Sequence, residues 1–198
     1  MAFHFSILQV TVLILVIISW LLFGLAVARR QRSTPATEHK RDRRSIVGLL
    51  VQGTAYYLIG SDLRPLFMPI TPLSRPIEIL LAVVTVALAA VSVWLTATAV
   101  RVLGKEWSIT ARVLEGHKLA TEGPYRLVRH PIYTAMFGML LATGLAISQA
   151  RALLPAILIL WVGTVIRIRS EEKLLREMFG AEFESYARRV PALFPHVF

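Results

Sequence analysis

The 198-residue chain contains no cysteine. Disulfides, a thiolate zinc site and a cysteine nucleophile are therefore excluded. Its five histidines are scattered, and no pair stands at a metal-ligand spacing, so no metal is expected. Acidic residues are scarce, 12 against 22 lysines and arginines, which leaves a formal net charge of +10. A phosphate-loop pattern, a Gly-x-Gly-x-x-Gly fingerprint and a serine nucleophile elbow are all missing. Any cofactor must be gripped by something other than the common soluble folds. A basic soluble chain would point to nucleic acid. Here the basic residues flank hydrophobic runs, so anionic headgroups and membrane orientation explain the charge and no nucleic-acid partner is expected.

What the chain has in abundance is apolar sequence: 56% of its residues are hydrophobic, in runs too long for a soluble core. The expected fold is an all-α integral membrane protein, one domain over 1–198, with about five transmembrane helices. The spans fall at about 5–28, 46–63, 77–100, 131–147 and 152–167. The second is weak, with Gln52, Gly53 and Thr54 inside it; Gly48, Gly53 and Gly60 are candidates for close helix approach. The segment Arg29 to Arg44 is a short basic loop, which the positive-inside rule assigns to the cytoplasm. The N-terminus is then outside and the C-terminus inside. Segments 101–130 and 168–198 share the cytoplasmic face, and that coincidence predicts one site built from both. Ser170 to Ala187 reads as amphipathic, interrupted at Gly180.

One stretch concentrates polar chemistry. Gly123-Pro124-Tyr125-Arg126-Leu127-Val128-Arg129-His130-Pro131-Ile132-Tyr133 meets the almost wholly apolar run from Met136 to Ile147. Pro131 suits the first turn of a helix, where its missing N–H costs nothing. Two phenols, a guanidinium and an imidazole thus gather at the mouth of a membrane helix, a functional-site candidate. The plainer reading is interfacial anchoring by Tyr and Arg. Arg167 and Glu171 are four apart on one helix face, which by itself is an ordinary salt bridge.

Order and spacing carry more than any one of these pieces. Leu103-Gly104-Lys105-Glu106-Trp107-Ser108, Gly116-His117-Lys118-Leu119, Gly123-Pro124-Tyr125 and Arg129-His130-Pro131-Ile132-Tyr133 follow one another. Arg167, Glu171-Glu172, Phe179-Gly180, Phe183, Tyr186 and Pro191 come after them. The ordered set resembles the isoprenylcysteine carboxyl methyltransferase family, and more closely its short prokaryotic members, over about half the chain. The resemblance implies S-adenosyl-L-methionine as methyl donor. It implies that His117, Lys118, Leu119, Ala120, Tyr125, His130, Pro131, Ile132, Tyr133 and Glu171 line the cofactor. It gives Arg167, with Arg129, the catalytic side facing the acceptor. The eukaryotic family members have a cofactor-contacting glutamine before the His-containing turn; here Ile109-Thr110-Ala111-Arg112 has none.

Under this reading the protein is a multi-pass protein of the prokaryotic cell membrane, its partners membrane lipids and a lipophilic or lipidated acceptor. A carboxylate acceptor is ionised at neutral pH, so methyl transfer needs alignment and water exclusion instead of a general base. The competing readings are a phospholipid or small amine/thiol methyltransferase, an NADPH-dependent sterol-type reductase, and a non-enzymatic membrane scaffold.

Overall fold

A computed structural model describes residues 6–30, 38–61, 74–104, 107–109, 112–114, 118–147 and 150–194. Among the described residues, six helices carry the fold: α1 Ile7–Arg30, α2 Arg44–Ser61, α3 Arg75–Leu103, α4 Pro131–Ile147, α5 Ala150–Phe179 and α6 Ala181–Arg189. The helix boundaries have local causes. Asp42 accepts the Arg44 backbone N–H at 2.9 Å where α2 begins. Gly104, at φ +57°, ends α3 with its N–H on the Val100 carbonyl.

Helices α1, α3 and α5 are each long and apolar enough to cross a membrane. Helix α4 is apolar but 17 residues long, and α2 has 18 residues with buried Gln52 among them. At 1.5 Å per residue these two reach only about 25–27 Å, a little under the hydrocarbon thickness. The outward faces support a lipid environment: Leu21, Leu50, Leu80, Leu154 and Leu158 are all exposed, a density of apolar surface unsuited to water. The molecule is an all-α membrane protein.

Two elements differ from expectation. The fifth span and the amphipathic segment after it form one unbroken helix, α5, which runs to Phe179 before Gly180, at φ +48°, breaks it. Thirty residues make about 45 Å, so roughly the last third of α5 lies beyond the hydrocarbon. The second difference is a ribbon. Strand β1, Glu38–Arg41, pairs antiparallel with β2, Arg112–Leu114, with Lys40 opposite Val113 and Arg41 opposite Arg112. The α1–α2 and α3–α4 connections, predicted as separate loops, are thereby joined on one face of the bundle.

Helix α2 packs along α5, and α3 packs against both α4 and α1. Lipid tails are as apolar as leucine, so close packing at small residues replaces the hydrophobic effect as the cause of association. The α2–α5 crossing is the clearest case. A methyl group added at Gly163 would lie 2.8 Å from the Gly48 carbonyl oxygen, and one at Gly48 would lie 2.5 Å from the Arg167 Cγ. Gly48 thus has the predicted role, whereas Gly53 and Gly60 face open space. A shared core of Ala55, Ile59, Tyr133, Phe137, Leu140, Ala156, Leu160 and Leu193 ties α2, α4, α5 and the C-terminal tail together.

Candidate functional site

The site begins where α4 begins. A single 3-10 turn, Gly123–Arg126, starts at Gly123 with φ +56° and leads the chain into the helix mouth. The tail beyond α6 then closes over this entry. The Arg129 N–H donates to the Pro191 carbonyl at 2.8 Å, and the His130 N–H to that of Ala192 at 2.9 Å. The Thr134 hydroxyl donates to the Leu193 carbonyl at 2.5 Å. Backbone donors ahead of the helix are thus satisfied by the chain's far end.

From here a buried chain of polar groups runs through α4, α5 and α2. The Arg167 Nε donates to the Tyr133 hydroxyl at 2.7 Å, and the Tyr133 hydroxyl donates to Glu171 Oε1. The His130 Nδ1 lies 3.4 Å from Glu171 Oε2, and its Nε2 lies 3.3 Å from Glu172 Oε1. Glu172 is held by Arg129, whose Nη2 lies at 2.8 Å, and by Arg176 Nη2 at 3.0 Å. Arg167 Nη1 donates to Gln52 Oε1 at 3.4 Å, and its Nη2 donates to the Ile109 carbonyl. Arg167 is 4% exposed and His130 7%, so both depend on these partners in place of water.

The imidazole stands between two carboxylates. Burial alone would pull the His130 pKa down, but the hydrogen bonds and charges of Glu171 and Glu172 outweigh it and hold the value above the ordinary one. The geometry agrees: carboxylates at both ring nitrogens require both to carry protons. The Tyr125 phenol is pushed well up by burial first and by the Glu171 charge second, so it stays neutral. Burial likewise pushes Tyr186 up to about 12, and its hydroxyl donates to the Tyr125 carbonyl at 2.7 Å.

The structure unites several of the predicted residues and separates others. His130, Tyr133, Arg167 and Glu171 meet in one network. Tyr125 is buried beside them. Pro131 is fully buried at the start of α4, and Ile132 is half-buried. Lys118 is exposed and Ala120 half-buried, while Leu119 packs against Phe183, Tyr186 and Val190 beneath α6. His117 lies outside the described residues.

Arg129, assigned to the catalytic side, is engaged by partners of its own chain. Its guanidinium is spent on Glu172, on the Ala187 carbonyl at 2.9 Å and on the Val190 carbonyl. That makes it a tether between α5 and the tail, since these bonds occupy all three of its nitrogens. Glu172, which the ordered set includes without a role of its own, is 5% exposed and central. Its i,i+4 relation to Arg176 was the available signal. Gln52 was visible only as a lone amide in an apolar run.

Residues 80–182 match the phospholipid methyltransferase family. The protein-S-isoprenylcysteine O-methyltransferase B of Arabidopsis thaliana is 32% identical over 102 residues, which cover 50% of this chain and 52% of that protein. The protein-S-isoprenylcysteine O-methyltransferase of Schizosaccharomyces pombe is 37% identical over 79 residues, 40% of this chain and 34% of the relative. The nickel-cobalt-cadmium resistance protein NccN of Alcaligenes xylosoxydans xylosoxydans is 37% identical over 101 residues, 48% and 45% of the two chains. The chain spans about half the length of these relatives or less.

Proposed function

This chain belongs to the phospholipid methyltransferase family, and on that premise we propose that it transfers a methyl group from S-adenosyl-L-methionine to the carboxylate of a lipophilic, isoprenylcysteine-like acceptor. The observation that carries the reading is the buried chain Arg167–Tyr133–Glu171–His130 at one end of the helix bundle. Bound there, the cofactor supplies a methyl already activated on a sulfonium.

The residues fit such a group. Glu171 keeps 25% of its side chain exposed while Glu172 keeps 7%, so Glu171 has an open edge for the amino or hydroxyl groups of a ligand. Tyr125, His130, Pro131, Ile132, Tyr133 and Glu171 are assigned to the cofactor. His117, Lys118, Leu119 and Ala120 are assigned to it from the turn before.

Arg167 is assigned to the acceptor. Its Nε is taken by Tyr133, so a carboxylate meets the Nη1/Nη2 edge and replaces the Ile109 carbonyl there. The acceptor is already ionised, so the protein's task is alignment and the exclusion of water. Arg129 positions: it ties Glu172 and the tail to the site. The basic loops support a cell-membrane orientation with the N-terminus outside and this face cytoplasmic. A lipidic acceptor then enters from the bilayer.

The family's own description favours a second reading, in which the acceptor is a phospholipid, and there the group to be methylated would be an amine. One variant separates them. Arg167→Lys cannot reproduce a planar two-point contact, so transfer to a carboxylate falls on the order of 100-fold while an amine acceptor is spared. S-adenosylhomocysteine titrated into the detergent-solubilised protein binds, and NADPH does not. The reverse pattern overturns the methyltransferase reading, and full carboxylate activity in Arg167→Lys removes the clamp.

A further inference from the structure

Gln52 lies on α2, outside the region matched to the family. It is 1% exposed. An amide in an apolar helix is costly unless both its ends are paired. Both are: Nε2 donates to the Thr164 hydroxyl at 2.9 Å, and Oε1 accepts from Arg167 Nη1 at 3.4 Å. A rotated amide would point its NH2 at the guanidinium, donor against donor, so the partners dictate one orientation. The α2–α5 crossing holds the group in place. A Cβ on Gly163 would meet Gln52 Cγ at 2.9 Å, and one on Gly48 would strike the Arg167 stem at 2.5 Å. The backbones therefore approach closely on both sides of the Gln52–Arg167 contact.

We propose that Gln52 is a positioning residue for this site: its amide, braced by Thr164, holds the Arg167 guanidinium in the orientation in which it meets the acceptor. Three hydrogen-bond partners set that orientation, and Glu171 Oε1 stands 3.7 Å from Nη2. Tyr133 takes Nε, the Ile109 carbonyl takes Nη2, and Gln52 takes Nη1. When an acceptor displaces Ile109, Gln52 and Tyr133 remain to keep the plane of the fork from turning. Helix α2 thus contributes to the acceptor side without touching the cofactor. The inference rests on the methyltransferase reading and names where its acceptor specificity is set.

The test measures kcat and KM for a carboxylate acceptor, with S-adenosylhomocysteine affinity alongside, in wild type, Gln52→Leu, Thr164→Val and Arg167→Lys. Gln52→Leu raises the acceptor KM about tenfold, the size of one hydrogen bond to a charged group, and leaves S-adenosylhomocysteine affinity unchanged. Thr164→Val keeps the glutamine and moves KM in the same direction by less; it stands in if Gln52→Leu does not fold. Combining Gln52→Leu with Arg167→Lys adds no further loss, because one acts through the other. Wild-type acceptor kinetics in both Gln52→Leu and Thr164→Val overturn the inference. So does a full additional tenfold loss in the double variant, which makes Gln52 a packing residue alone. A wild-type protein that neither binds S-adenosylhomocysteine nor transfers methyl overturns the underlying reading instead, and this inference with it.

Discussion

Arg167 and Tyr133 meet across the α4–α5 interface: Nε donates to the phenol oxygen at 2.7 Å, and the guanidinium carbon lies 5.2 Å from the centre of the same ring. The phenol in turn donates its own hydrogen bond to Glu171. One hydroxyl therefore joins a buried cation to a carboxylate, and neither helix supplies this arrangement alone.

Removing that hydroxyl tests the relationship. Tyr133→Phe keeps the ring and leaves Arg167 Nε and Glu171 Oε1 each short of a partner. Thermal unfolding in detergent is expected to register a loss of about 1–3 kcal/mol, the cost of stranding a buried polar group. S-adenosylhomocysteine titration is expected to weaken in parallel. An unchanged melting temperature would mean that the pair is not linked through the phenol.

His130 gives the site a pH dependence of known sign. Its pKa is raised in the folded protein, so the native state binds more protons than the unfolded state, and stability falls with pH across the gap. The contribution is complete below about 6.5, the unfolded value, and is lost as pH rises through the higher folded value. His130→Gln removes this slope. Melting curves from pH 6 upward should converge for the two proteins at high pH; a constant difference would show that protonation is irrelevant.

The helix crossing predicts opposite outcomes for two glycines. Gly163→Ala drives a methyl group into backbone atoms of Gly48 and Gln52, at 2.8 and 2.9 Å, which cannot swing aside. A loss of about 1–3 kcal/mol is expected, as for other overpacked interiors. Gly53→Ala meets nothing within 4 Å and should be neutral or slightly stabilising. Equal melting temperatures for both alanine variants would refute the close approach.

Because the chain has no cysteine, a single introduced one reports its own side of the membrane. Arg43→Cys, Glu122→Cys and Glu182→Cys replace exposed residues on the ribbon face, and Ser74→Cys lies at the opposite end of the bundle. The first three should label together from the cytoplasmic side, and the fourth from outside. A split among the first three would contradict the β1–β2 pairing.

Hydropathy marked the first four helices and the start of the fifth to within a few residues, because lipid makes long apolar runs obligatory, but it did not show that α5 runs on to Phe179. Pro131 and Gly180 marked a start and a break for reasons internal to the chain, one lacking an N–H and the other at positive φ. Ordered motifs likewise brought Arg167, Tyr133, His130 and Glu171 to notice together. What no local pattern contained was which partner each charge would choose. Arg129 looked equivalent to Arg167 until the carbonyls of Ala187 in α6 and Val190 just after it claimed it. Glu172 stood in the ordered set without a role until packing turned it towards His130. Gln52 meets Arg167 across 115 residues of chain, through a crossing that only two glycines permit. Buried charges take whatever counter-groups the packing delivers, and packing of distant helices is decided in three dimensions.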